Sequence, residues 1–278
     1  MTSLVVTGAQ GRIGRLLELC KDELNFNVDS TDWTSRLGSP GSPVWDLTAA
    51  ALPPVPQRAI LLHLAAVLPG RGQSADLADN IGMAKAISHA DRSLDFQHVL
   101  FLSTVAVYAP QSAPIMEDCT PNPQNDYGRT KLAAEQELVN SFGGKLTILR
   151  LANLVGADAL LGESKTEVTL DPVDGQKNGP ERSYIGPVTF VRVIGRLLNL
   201  LASGAQIPPV INVAQPKSLG MADLLRASAR PWKFGPPRSG VVPKVEVDVA
   251  LLAKIIDLPR ANALDLVAEL DGLKGKWP

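Results

Sequence analysis

The sequence predicts an α/β protein: a doubly wound parallel sheet followed by a small C-terminal substrate lobe. Three observations predict it. Strand-like and helix-like segments alternate from Leu4 to Leu151 without a repeat or a low-complexity break. Runs such as Ala59 to Ala66 are continuously apolar, as strands covered on both faces are. The first strand enters the first helix through glycines at positions 8, 11 and 14, which join a strand to a helix closely packed on it.

The elements follow in order. Leu4 to Thr7 reads as a strand and Arg15 to Leu24 as an apolar-periodic helix. Asn25 to Asp32 alternates as a second strand, Ser35 to Pro43 is a Gly/Ser/Pro loop, and Val44 to Leu47 reads as a short third strand. Ala59 to Ala66 is a buried strand, Leu77 to Ala90 a helix, and Val99 to Val107 another buried strand. Tyr127 to Ser141 is helical and ends at Gly143-Gly144, after which Leu146 to Leu151 forms a sixth strand. Ala157 to Pro187 is polar and aperiodic, the character of a substrate loop. Val188 to Ser203 is helical, Pro208 to Val213 a strand and Met221 to Ala229 a helix; Arg230 to Pro243 is a proline-rich connector, and 245–271 is mostly helical. Residues 1–156 are therefore expected to form one domain and 157–278 a smaller lobe, with about 188–213 returning to the sheet.

Length and composition narrow the function. At 278 residues, with 45% hydrophobic and 20% charged residues, the chain can build a sizeable core. A formal net charge of −1 gives no reason to expect nucleic acid or an anionic membrane as partner, which favours a small-molecule substrate. Cys20 and Cys119 lack metal-ligand spacing with each other or with His63, His89 and His98, so no metal site and no disulfide is expected, and a cytoplasmic setting is favoured. Nothing basic or long and apolar precedes the first strand, and no apolar stretch is long and uncharged enough to span a bilayer.

The chemistry is concentrated in three places. Glycines 8, 11 and 14 at a helix N-terminus suit a nucleotide pyrophosphate: Gly8 for the tight turn, Gly11 for close backbone approach and Gly14 for helix packing. Asp32, eighteen residues beyond Gly14, can accept both adenosine-ribose hydroxyls and would repel a 2′-phosphate, which points to NAD rather than NADP; Asp29 competes for that role. Tyr127 and Lys131 stand one helical turn apart, where an ammonium lowers the phenol pKa from about 10 and equips the pair to move a proton at a carbinol or carbonyl oxygen. Lys131 can also bind the nicotinamide ribose. Ser103 and Thr104 end a buried strand, where Thr104 can hold the reacting oxygen.

Taken together, Thr7-Gly8-x-x-Gly11-x-x-Gly14, Asp46-Leu47, His63-Leu64-Ala65-Ala66, Asn80-Ile81, Ser103 to Tyr108, Tyr127 to Lys131 and Arg150 to Gly156 resemble, in order and spacing, the extended short-chain dehydrogenases, and more narrowly the NAD-dependent epimerase/dehydratase family. The resemblance covers residues 4–156 well and the remainder loosely. It implies a Rossmann-type sheet, hydride transfer to or from NAD at a secondary alcohol or ketone of a sugar or nucleotide-sugar, and a catalytic set of Thr104, Tyr127 and Lys131 with Asn80 organising a water near the lysine. It also implies a pyrophosphate site at Gly8, Gly11, Arg12, Ile13 and Gly14, an adenine contact at Asp46 and Leu47, a wall at Ala65 and Ala66 facing the nicotinamide half, and substrate contact at Asn153. His63 is read as strand scaffolding. Relatives often pair two helices into a homodimer, which is expected here as well. The chain departs from the family in having Tyr184-Ile185-Gly186-Pro187 where an aspartate-containing segment is common, and no acid beside Thr104 where sugar dehydratases place one. Epimerase and dehydrogenase stay open, and a non-catalytic dinucleotide sensor on the same fold is the alternative.

Overall fold

A computed structural model describes residues 2–26, 28–37, 42–49, 52–69, 76–162 and 167–277. Parts of the expected second strand, of the loop from Ser35 to Pro43 and of the segment from Ala157 to Pro187 lie outside the described residues. Among the described residues no helix is long and apolar enough to cross a membrane, and no group of three His, Cys, Asp or Glu side chains could hold a metal ion.

The first half contains β1 (Ser3–Thr7), α1 (Arg12–Leu19), the short α2 (Lys21–Leu24), β2 (Ser30–Thr34), β3 (Ile60–His63), α3 (Asp79–Leu94), β4 (His98–Thr104), α4 (Asp126–Phe142) and β5 (Leu146–Leu151). The second half contains β6 (Asn153–Leu154), β7 (Val168–Leu170), β8 (Glu181–Ile185), α5 (Pro187–Ala202), β9 (Val210–Val213), β10 (Ser218–Gly220), α6 (Met221–Ala227), β11 (Trp232–Phe234), β12 (Lys244–Val245), α7 (Ala250–Ala253) and α8 (Ala263–Asp271). The central sheet has six strands in the order β2-β1-β3-β4-β5-β9, with β1, β2, β3 and β4 paired in parallel. That is the doubly wound order of a Rossmann-type fold.

Internal contacts divide the chain into two units. Unit 1 is 1–109, 120–150 and 194–211; unit 2 is 110–119, 151–193 and 212–278. The segment 110–119, read in sequence with the first domain, belongs to unit 2 because Ile115 donates its N–H to Glu246 O at 2.9 Å and its carbonyl accepts from Asn212 Nδ2 at 2.9 Å. In unit 1 every residue of β3 is buried, and Val5, Leu61, Val99 and Phe101 pack with Ile87, Ala134 and Leu138 of the covering helices. Each such aliphatic or aromatic side chain contributes roughly 1.5–3 kcal/mol by leaving water. Unit 2 has its own core, in which Val155, Leu170 and Tyr184 pack with Leu224, Leu225 and Leu266.

Three local expectations are corrected. β2 runs from Ser30 to Thr34, not from Asn25 to Asp32, because its pairing with β1 sets Ser3 opposite Ser30 and Thr7 opposite Thr34. No third strand forms at Val44 to Leu47; Val44 makes an isolated bridge to Ser35, and Trp45 N–H donates to Ser35 O at 3.1 Å. β4 ends at Thr104, where the side chain accepts from Ala106 N–H at 3.2 Å and turns the chain into a 3-10 turn over 105–107. The expected lobe loop also holds short strands: β8 pairs with β6, β10 and β12.

Candidate active site

The glycine turn of unit 1 is built by steric necessity. Gly8 has φ +75, and a Cβ there would lie 2.6 Å from Ala65 N; at Gly14 it would lie 2.4 Å from Ala9 O. Gly11 caps α1 without a side chain, so the N–H groups of Arg12 and Ile13 open a helix whose first turn contains no acid. First-turn N–H groups have no partner inside a helix, and the dipole there favours an anion. The turn therefore fits a dinucleotide pyrophosphate. Ala65 is half-buried and Ala66 exposed directly after β3, at the carboxyl edge of the sheet.

Asp32 does not end the second strand. Asp32 sits in the middle of β2 opposite Val5, two residues before the strand's end, because the register runs on to Thr34. The residues that leave the strand beside the glycine turn are Ser35 and Arg36; Ala9 N–H reaches Thr34 O at 3.2 Å. Leu47 is buried. Asp46 Oδ1 accepts from Thr48 Oγ1 at 2.7 Å and Thr48 N–H at 2.9 Å, and these bonds, with the Arg36 charge, hold its carboxyl below the usual range.

The proton-handling residues are set by α4. Asn125 Oδ1 accepts from Gly128 N–H at 2.8 Å and starts the helix. Gly128 itself lies against the 3-10 turn, since a Cβ there would come 2.2 Å from Ala106 O. This contact brings Tyr127 and the first turn of α4 beside the turn that follows Thr104. Tyr127 is half-buried, and burial pushes its phenol up to about 12. Lys131 is 2% exposed; its Nζ donates to Leu102 O at 2.8 Å and stands 4.0 Å from the centre of the Phe101 ring. Burial pushes it down to about 7, with the Glu135 carboxylate opposing. The expectation that Lys131 lowers the Tyr127 pKa is thus corrected: the ammonium is turned toward β4, and desolvation of the phenol prevails.

Asn80 is buried and anchored on both sides of its amide. Its Oδ1 accepts from Val67 N–H at 2.9 Å, and its Nδ2 donates to Val67 O at 3.1 Å and Thr130 Oγ1 at 3.3 Å. The amide ties the chain after β3 to α3 and α4. His63 stays scaffolding: it is buried, 2.6 Å from Thr7 Oγ1 and stacked on Phe101, and burial holds its pKa far below the ordinary value.

Sequence reasoning missed the polar cluster beneath these groups. Arg150 Nη2 donates to Glu135 Oε2 at 2.7 Å and Nη1 to Tyr108 Oη at 2.8 Å, while Ser103 Oγ donates to Glu135. The arginine and glutamate side chains are 6% and 2% exposed. The signal was available, since Tyr127, Lys131 and Glu135 are spaced four apart on one helix.

Lys131 has a measurable consequence. Its folded pKa of about 7 lies below the ordinary 10.5, so across that window the folded chain binds fewer protons there than the unfolded chain. Stability rises with pH over that window; below it both states are protonated and the burial cost is constant. Relative to Lys131→Met, the native protein is expected to gain stability between pH 7 and about pH 9, read from denaturant midpoints. Parallel pH profiles would contradict the buried ammonium.

Unit 2 contains a cavity of about 600 Å³ whose lining includes Asn153, Asp158, Tyr184, Arg182, Met221 and Arg238. Asn153 Nδ2 donates to Ser183 O at 3.0 Å, which fixes β6 against β8 at the cavity wall. Arg182 donates to the carbonyl oxygens of Glu181 at 2.7 Å and Val242 at 3.1 Å, whereas Arg238 pairs with Asp171 at 2.6 Å. Arg238 and Tyr184 were not anticipated, because the cavity joins segments more than 50 residues apart in the chain.

The model of the NAD dependent epimerase/dehydratase family matches residues 4–170. A UDP-glucose 4-epimerase of Azospirillum brasilense is 48% identical over 64 residues, which is 22% of this chain and 18% of that protein. A UDP-glucose 4-epimerase of Corynebacterium glutamicum is 35% identical over 91 residues, 31% of this chain and 28% of that protein. These matches span less than a third of the relatives' own length. Among solved structures, the UDP-glucose-4-epimerase of Stenotrophomonas maltophila with bound NAD and formylated UDP-arabinopyranose superposes with a TM-score of 0.73 at 22% identity, over 97% of this chain and 96% of that one. The UDP-glucose 4-epimerase of Bifidobacterium longum in complex with NAD+ and UDP gives 0.74 at 20% identity over 99% of both chains.

Proposed function

The chain belongs to the NAD-dependent epimerase/dehydratase family, and on that premise we propose that it is an epimerase-type oxidoreductase that moves hydride at a secondary alcohol or ketone of a nucleotide-sugar. The observation that carries the reading is the packing of Gly128 on Ala106, which puts Tyr127 at the carboxyl end of β4, on the same sheet edge as the glycine turn. Open α/β sheets bind ligands at that edge.

When bound, NAD supplies a two-electron acceptor and donor of hydride at its nicotinamide. The chain's own groups handle the proton. Tyr127 as phenol gives its proton to a carbonyl oxygen and, once that proton is lost, takes one from an alcohol as phenolate; Thr104 holds that oxygen by a hydrogen bond. Lys131 lies buried one turn further along α4, its Nζ held by Leu102 O beside the Phe101 ring. Gly8, Gly11, Arg12, Ile13 and Gly14 hold the pyrophosphate, Leu47 and Asp46 bound the adenine, and Ala65 and Ala66 wall the nicotinamide half. Within unit 2, Arg182 lines the cavity and donates to the carbonyl oxygens of Glu181 and Val242, and it is the candidate contact there for a nucleotide phosphate. Ser103 and Val105 flank Thr104 without an acid, which favours epimerisation or dehydrogenation over dehydration.

The test is to supply the purified chain with NAD and UDP-glucose or UDP-galactose and follow interconversion and reduced nicotinamide. Replacing Arg182 by Ala is expected to raise KM for the nucleotide-sugar about tenfold or more, with a smaller change in kcat, as loss of a charge-assisted hydrogen bond does. A lowered kcat with KM unchanged would move nucleotide recognition away from this cavity.

A further inference from the structure

The end of β2 carries a feature that the reading above leaves unused. In dinucleotide sites an acid after the second strand accepts the ribose 2′-hydroxyl, and an arginine nearby accommodates a 2′-phosphate. Here the acid is displaced into the strand: Asp32 pairs with Val5, and the strand continues through Thr34. What emerges beside the glycine turn is Ser35 followed by Arg36, with Thr34 O tied to Ala9 N–H at 3.2 Å.

Two independent properties of that pair point to a ligand. Ser35 is 7% exposed, and its Oγ has no hydrogen-bond partner among the described residues. A buried hydroxyl left without a partner costs free energy unless something arrives to satisfy it. Arg36 is exposed and makes its field felt at Asp46, whose carboxyl is committed first to Thr48. The charges around the turn agree. α1 opens on Arg12, with Arg15 three residues on and no acid in its first turn, an arrangement that the helix dipole disfavours when no anion is bound.

We infer that Ser35 and Arg36 form a 2′-phosphate subsite at the adenosine ribose, so that this chain binds NADP alongside NAD. The inference rests on the dinucleotide reading of unit 1 and deepens it. A phosphate monoester adds nearly two negative charges and three strong acceptor oxygens, which one guanidinium and one hydroxyl can meet at once. An unphosphorylated ribose offers Arg36 no phosphate to bind, so the two cofactors are expected to respond differently to its removal.

The experiment is isothermal titration of the purified chain, freed of nucleotide, with NAD and with NADP. The wild-type chain is expected to bind NADP within about threefold of NAD or more tightly. Arg36→Asp is expected to weaken NADP by about tenfold or more while changing NAD by less than about threefold, and Ser35→Ala to weaken NADP in the same sense. The retained NAD affinity reports that each variant is folded. NAD binding more than about tenfold tighter than NADP in the wild-type chain would overturn the subsite and leave the proposed function standing. Equal weakening of both cofactors by Arg36→Asp would overturn the residue assignment. Failure of both cofactors to bind the wild-type chain would overturn the dinucleotide reading itself.

Discussion

Tyr127→Phe is expected to abolish turnover of a nucleotide-sugar while leaving NAD affinity within about threefold of wild type. General acid–base groups typically contribute 10²–10⁴-fold, and the substitution removes only the phenolic oxygen. Gly128 remains packed on Ala106, so α4 keeps its place. Burial holds the Tyr127 phenol at about 12, so it stands protonated and able to donate at neutral pH. Steady-state kinetics with a titrated NAD affinity decide the matter. Turnover retained within tenfold would assign the proton to another group.

The largest effect on stability is expected at Glu135. Its carboxylate receives Arg150 and Ser103 inside a region where the two charged side chains are 2% and 6% exposed. Glu135→Ala would take the Glu135 carboxylate away from the buried Arg150 guanidinium, a loss of about 3–5 kcal/mol. That is a large fraction of the roughly 5–15 kcal/mol that holds a domain together. Glu135→Gln keeps the shape and an acceptor and should cost distinctly less. Denaturant midpoints at unchanged slope read the difference. If the alanine variant loses less than about 1 kcal/mol, Arg150 has found another partner and the cluster is not a structural pair.

The sequence disclosed most where sterics leave no choice. Gly8 and Gly14 were readable because only glycine survives a Cβ placed 2.6 Å from Ala65 N or 2.4 Å from Ala9 O. β5 was readable to the residue because its leucines and isoleucine are bounded by Gly143-Gly144 and the break after Leu151. β2 was not: the alternation of Phe26, Val28 and Ser30 reads equally well in a strand ending at Asp32, and the true end is fixed by pairing with β1, a long-range contact. The Tyr127 and Lys131 spacing was visible, but the direction of the phenol's pKa was not, because it depends on how deeply α4 sinks against β4. Asn80 gave no local sign that both ends of its amide are taken by Val67. The cavity of unit 2 was least legible, since short strands such as β6, β7 and β8 carry little periodicity and their juxtaposition is tertiary.

The measurement that tests the central claim most directly is rapid mixing of the NAD-loaded chain with a UDP-hexose while the absorbance of reduced nicotinamide is followed. Hydride transfer at the sugar predicts a substrate-dependent rise in reduced cofactor in the wild-type chain, absent in Tyr127→Phe. A chain that binds NAD and the UDP-hexose yet reduces no cofactor would contradict an oxidoreductase and favour a dinucleotide-binding protein without catalysis.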